Sequence, residues 1–305
     1  MVDAKKEIGL IDVDGHEFCG KKFPNLALMK ISAWHKARGD HVEWWNGLKH
    51  YDRVYQAKVF DESYTKDNEF VVMADEVIKG GTGYGLDDKL PDEIEHMCPD
   101  YSLYGITDTA YGFLTRGCPR HCKFCIVGDK EGLISHKVAD LSEFWTGQPN
   151  IELLDPNMLA CKGDRMELLD QIIESGAKIN FNQGLDVRFC NKEIAEKLNQ
   201  VKLKAIHFAW DNYEMSTKKK LEEVRGYLKF RPIEIKVYVL TNFNTTHAQD
   251  LERVYTLRDM GYDPYVMIYD KNHAPRITRC LQRWVNNKYV FHSCDRFEDY
   301  DPSIA

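Results

Sequence analysis

The densest chemistry in the chain lies in one short run, Thr115-Arg116-Gly117-Cys118-Pro119-Arg120-His121-Cys122-Lys123-Phe124-Cys125. The spacing is C-x3-C-x2-C. Three thiolates on one loop can hold three irons of a cubane cluster, leaving the fourth iron open to a substrate or cofactor. Zinc is the other metal such thiolates suit, but it usually takes four ligands, often as two paired groups. His121 lies inside the loop, and no second C-x2-C follows. Other polar residues stand just past apolar runs. Asp155 and Asn157 follow one, as ligand contacts or helix caps. Gln183 and Arg188 follow the next, and Arg188 could fork onto a carboxylate or pair with Asp186. Trp210 and Asp211 form a stacking wall with an acid beside it, and Tyr269 ends the last run.

Those residues need elements to hold them. The second half predicts strands at 110–114, 151–154, 178–181, 205–209, 234–240 and 265–269. Helical stripes lie between them at 163–175, 191–199, 216–230 and 248–260. Strands alternating with helices imply parallel pairing. Six such units suit an incomplete (β/α)6 barrel of the TIM type, a closed eight-unit barrel needing about 250 residues. Barrel chemistry sits at the C-terminal ends of the strands, where the polar residues above fall. The first half reads as a Rossmann-like open parallel α/β domain. Its strands are expected at 8–13, 41–45 and 53–60, and a helix at 24–35. The region 69–74 has no clear type, and Gly80-Gly81-Thr82-Gly83-Tyr84-Gly85 is a turn. The expected division is 1–105, 106–275 and a helix and tail at 276–305.

The cysteine spacing, its place after a first barrel strand and the Arg-Gly-Cys-Pro approach resemble the radical S-adenosylmethionine superfamily. The likeness spans Thr109 to about Asp270. It implies an oxygen-sensitive [4Fe-4S] cluster on Cys118, Cys122 and Cys125, with S-adenosylmethionine on the open iron. Reductive cleavage would give a 5′-deoxyadenosyl radical that takes hydrogen from an unidentified small molecule. It also implies an electron donor such as flavodoxin or ferredoxin. Phe124 matches the position near the adenine, Asp155 and Asn157 those near the amino group, and Arg188 one near the carboxylate. Gln183 and Tyr269 face ribose or substrate, and Trp210 and Asp211 line the mouth. The first domain resembles the cobalamin-binding domain of one branch, through Gly80-Gly81 and Leu90-Pro91-Asp92-Glu93. The Asp-x-His-x-x-Gly motif of that branch is missing, and Phe60-Asp61-Glu62-Ser63-Tyr64 stands there. The other readings are a cobalamin-assisted radical methyltransferase and a non-enzymatic iron–sulfur or zinc-binding regulatory module.

Composition sets limits. The 305 residues carry 41 Lys plus Arg against 48 Asp plus Glu, a net charge of −7. That charge disfavours an extended nucleic-acid contact. No apolar stretch approaches the ~20 residues that span a bilayer, and the start lacks a signal-peptide core. The cytoplasm is expected, and there nine cysteines do not read as a disulfide framework. Cys19, Cys98, Cys161, Cys190 and Cys280 lack ligand spacing, and Cys294 is a thiyl donor or an ordinary tail cysteine.

Overall fold

The computed structural model describes residues 5–15, 23–67 and 70–303. Cys19 and Glu69 lie outside the described residues. The chain divides into two compact units. One comprises Met1–Gly112 with Ala139–Gln148, and the other Phe113–Val138 with Pro149–Ala305.

The first unit is built on four parallel strands: β1 (Glu7–Asp12), β2 (His41–Trp44), β3 (Tyr51–Ala57) and β4 (Ala74–Gly80), in the order β2-β1-β3-β4. β1 is buried on both faces. Ile8 and Leu10 join Leu28, Ile31, Tyr55 and Ile94 in one cluster, while Ile11 joins Val13, Tyr51 and Val54 in another. That is why its sequence is an unbroken apolar run rather than an alternating one. Helix α1 (Leu26–Ala37) starts where the Asn25 side chain accepts from Leu28 N–H at 3.2 Å. Near its end the buried His35 bonds Asp40 at 2.6 Å and the Tyr55 hydroxyl at 3.0 Å. The untyped region after residue 69 ends in β4, an edge strand. Gly81 then turns with φ 103°, and a Cβ there would stand 2.5 Å from the Lys58 carbonyl. The short helix α2 (Asp92–Glu95) follows.

The larger sheet has six strands: β5 (Thr109–Gly112), β8 (Asn150–Leu153), β9 (Lys178–Phe181), β10 (Leu203–Ala209), β11 (Ile235–Thr241) and β12 (Asp263–Ile268). They lie in the order β12-β11-β10-β9-β8-β5. The pairings from β8 to β12 are all parallel. Between them run α4 (Arg165–Ser175), α5 (Lys192–Leu198), α6 (Met215–Arg225) and α7 (His247–Asp259), with α8 (Arg276–Asn286) and α9 (Lys288–Ser293) after β12. These ranges lie within a few residues of those expected from the apolar pattern. The architecture is thus mixed α/β, with parallel sheets flanked by helices. β5 and β12 stand at opposite ends of the order, and no closure between them is seen, so the TIM-type barrel does not stand as a finding.

The register separates the sheet's two faces. Ile151, Leu153, Ile179, Phe181, Ile206, Phe208, Val237, Val239 and Val266 share one face, and all are buried. There Val266 packs with Val254 of α7, with Leu281, Trp284 and Val285 of α8, and with Phe291 of α9. The other face carries Glu152, Asn180, His207, Lys236, Tyr238, Asp263 and Tyr265. Its polar groups are paired, some with each other and some with neighbouring lysines. Lys204 and Asn180 both bond Glu152 at 2.5 Å, Lys288 pairs with Asp263 at 2.6 Å, and His207 stacks on Tyr238 at 5.0 Å.

Candidate metal-binding loop and its surroundings

The cysteine run is framed by a small antiparallel hairpin, β6 (Thr115–Arg116) with β7 (His136–Lys137), and by the short helix α3 (Val127–Glu131). Gly117 turns the chain into the loop at φ 82°, and a Cβ there would stand 2.2 Å from the Ile134 carbonyl. Only glycine meets both demands. Cys118 N–H then donates to the Gly132 carbonyl at 3.1 Å, and Arg116 pairs with Glu131 at 2.8 Å. His121 takes the left-handed conformation at φ 42°, with Nε2 3.3 Å from Asp129. Cys125 N–H donates to the Cys122 carbonyl at 2.9 Å.

The three thiols are half-buried, and all eight cysteines among the described residues are free. Burial pushes the Cys122 thiol up, with Arg120 pulling it down and Asp211 adding to the rise. Burial likewise raises Cys125. A metal would favour the thiolates that burial disfavours.

Asp155, past β8, is buried and grips the strand that enters the loop. It accepts from Leu114 N–H at 3.1 Å, from Thr115 N–H at 2.5 Å and from the Thr115 hydroxyl at 2.7 Å. Burial nevertheless lifts its carboxyl to about 6. Asn157, two residues on, donates from Nδ2 to the Cys118 sulfur at 3.4 Å. Past β9, Arg188 is spent on Asp186 through two bonds, Nε to Oδ1 at 2.6 Å and Nη2 to Oδ2 at 3.0 Å. Arg120 of the cysteine loop stands 3.8 Å from the same Asp186. Gln183 is exposed. Asp211 carries a carboxyl raised to about 6 by burial, against the pull of Arg253 and Arg188.

Trp210 is 1 % exposed, so it belongs to the core rather than to a ligand wall. The residue before it, Ala209, ends β10 and pairs with Tyr238 on the polar face. Alternation therefore turns Trp210 the other way. Phe124 and Tyr269 do come together, through Phe243, at 5.5 and 4.9 Å between ring centroids. Cys294 bonds the Arg296 carbonyl in the tail at 3.1 Å, and its own carbonyl receives the Trp284 indole N–H at 3.0 Å.

The reading from sequence missed Arg253. It is fully buried on α7 and donates to the carbonyls of Trp210 (2.5 Å), Asp211 (2.9 Å) and Leu240 (2.8 Å) and to Asp250 (2.5 Å). It ties the ends of β10 and β11 to the helix. A helical arginine carries no local sign of such burial. The polar face of the sheet was also missed, and there a sign existed. Glu152, Asn180, His207 and Tyr238 alternate with apolar neighbours, a pattern that strands covered by helices on both faces do not show.

Among the described residues, one group of three His, Cys, Asp or Glu side chains brings its ligand atoms within 4.8 Å of one another. It is Glu7, His41 and Glu43, on β1 and β2 of the first unit. This candidate metal-binding triad contains no cysteine. The triad also already encloses a cation, since Lys49 Nζ lies 2.7 Å from both Glu7 and Glu43. No family model matches the chain, and no curated protein matches it. These findings correct the expectation from the cysteine spacing. They support neither membership in the radical S-adenosylmethionine superfamily nor a radical enzyme. They also give no support to a [4Fe-4S] cluster with S-adenosylmethionine, or to cobalamin. Among the described residues no helix is long and apolar enough to cross a membrane.

Proposed function

We propose that the chain is a metal-binding module that holds a thiophilic metal, zinc or an iron–sulfur centre, on Cys118, Cys122 and Cys125. The observation that carries the reading is three free thiols on one framed loop, with an amide N–H directed at one sulfur. The donor set fits a soft metal and not magnesium or calcium, which take oxygen. The three sulfurs do not all lie within 4.8 Å of one another. A single zinc at about 2.3 Å from each sulfur would therefore draw them closer by rotation about χ1. A centre of more than one metal atom would bridge a wider spacing. The Glu7–His41–Glu43 group is the weaker site, because Lys49 already supplies its positive charge.

Around this site we place the finer architecture as follows. The sequential order of the six strands supports an incomplete barrel. The functional division is 1–105, 106–275 and a tail at 276–305. The unpaired cysteines suit a reducing compartment, the cytoplasm. A redox-active metal would call for a small electron carrier of the flavodoxin or ferredoxin kind, and the net charge disfavours a nucleic-acid partner.

The test is metal and acid-labile sulfide content of the full chain purified without oxygen, beside a C118A/C122A/C125A variant. Zinc, or iron with sulfide, should be present in the natural chain and lost from the variant. Sulfide with iron marks the iron–sulfur case, and zinc without sulfide the mononuclear one. Absence of both metals from the natural chain, or equal content in the variant, overturns the proposal.

A further inference from the structure

Asn157 is 2 % exposed, yet its side chain is only half satisfied. Nδ2 donates to the Cys118 sulfur at 3.4 Å, while Oδ1 is buried with no hydrogen-bond partner. Its backbone carbonyl is fixed by the Ser135 hydroxyl at 3.2 Å. Two residues earlier, Asp155 holds the backbone N–H of Leu114 and Thr115. The segment Asp155-Pro156-Asn157 therefore grips the chain on both sides of Gly117, at Thr115 through a carboxylate and at Cys118 through an amide. Burying an amide with an orphaned carbonyl is unfavourable, so a buried asparagine here needs a reason beyond packing. The sulfur supplies one. A metal-bound thiolate accepts hydrogen bonds and cannot donate them, and the N–H faces it.

We propose that Asn157 is a positioning residue of the thiolate site. Its N–H fixes the direction of the Cys118 sulfur and stabilises it as the thiolate that a metal takes. The inference rests on the metal-binding reading above. Groups that bond to a ligand from outside the coordination sphere change metal retention by about 10–100-fold, and hydrogen bonds to sulfur tune thiolate-bound metals.

The experiment loads metal-free full-length protein with Co(II) and follows the sulfur-to-cobalt charge-transfer absorption and the rate of release to a chelator. Asn157→Asp keeps the shape and loses the N–H, and Asn157→Ala loses the whole amide. Both should shift the absorption and speed release about tenfold. Asn157→Gln, which keeps an amide N–H, should recover part of the retention. Unchanged absorption and release in both Asn157→Asp and Asn157→Ala overturn the role of Asn157. The C118A/C122A/C125A variant separates the two levels. If it still binds Co(II) as the natural chain does, or if the natural chain binds none, the mononuclear form of the metal-binding reading fails and takes this inference with it.

Discussion

Replacing Arg253 by methionine tests what holds the ends of β10 and β11 together. The guanidinium is fully buried and donates to three backbone carbonyls, to the Thr245 hydroxyl and to Asp250. Methionine fills much of the volume and supplies no donor. Asp250, itself buried, keeps only the Thr245 hydroxyl at 2.6 Å as a partner in this group. Breaking a buried ion pair from one side costs about 3–5 kcal/mol. Each carbonyl left without a donor adds about 1 kcal/mol, with overlap between them. The expected loss is about 5 kcal/mol, comparable with the whole stability of many domains. At a urea slope of about 3 kcal/mol/M, the midpoint for the larger unit should fall by about 1.7 M. Far-UV circular dichroism against urea at pH 7 reads this directly. The double variant R253M/D250L removes the stranded charge along with its partner and should recover more than half the loss, because most of the penalty belongs to the orphaned carboxylate. A midpoint shift below about 0.3 M in R253M would refute the reasoning.

Other perturbations follow from the same geometry. Asp155 has a folded pKa of about 6, above its ordinary value of 3.8, so the native chain binds more protons between those values. Stability therefore falls as pH rises through that window, by about 3 kcal/mol for this group. Asp211 adds a loss of the same sign. Asp155→Asn should flatten the difference in urea midpoint between pH 4 and 7, and an unchanged slope would contradict the assignment. Gly117→Ala places a Cβ 2.2 Å from the Ile134 carbonyl at φ 82°, whereas Gly132→Ala at φ 86° meets nothing within 4 Å. The first should cost about 1–3 kcal/mol more than the second and release bound metal, as denaturation and metal content would show. Lys49→Met empties the Glu7–His41–Glu43 group of its ammonium. Calorimetry should find no zinc at this group in the natural chain and measurable binding in the variant. Zinc held there with Lys49 intact would show that the ammonium is no barrier.

Element positions were legible because each strand of the larger sheet carries an apolar face and each helix a stripe, signals that are local. The face on which a residue falls was legible only with the register. Trp210 looked like a ligand wall by its place after a strand, and alternation from Ala209 sends it into the core. Arg188 carried two readings, and the neighbour two residues back, Asp186, decides for the ion pair. Asp155 stood where a ligand contact or a cap was expected, and its oxygens are used on the backbone of Leu114 and Thr115. Barrel closure depends on whether the first and last strands meet, which no local pattern reports. The cofactor and reaction were inferred from a resemblance carried by the cysteine spacing, its place after a strand and the Arg-Gly-Cys-Pro approach. Spacing fixes which thiols share a loop but leaves the separation of their sulfurs undetermined.

The two faces of the six-stranded sheet also set how freely the sequence can drift. Exchanging Ile179, Phe208 or Val237 disturbs close-packed neighbours on the helix side, where a lost methylene is felt at once. Lys236 and Tyr265 stand on the other face, Tyr265 exposed, and can be randomised together without opening a cavity beneath a helix. A library at those positions could explore new ligands on a scaffold whose fold is maintained from the opposite side.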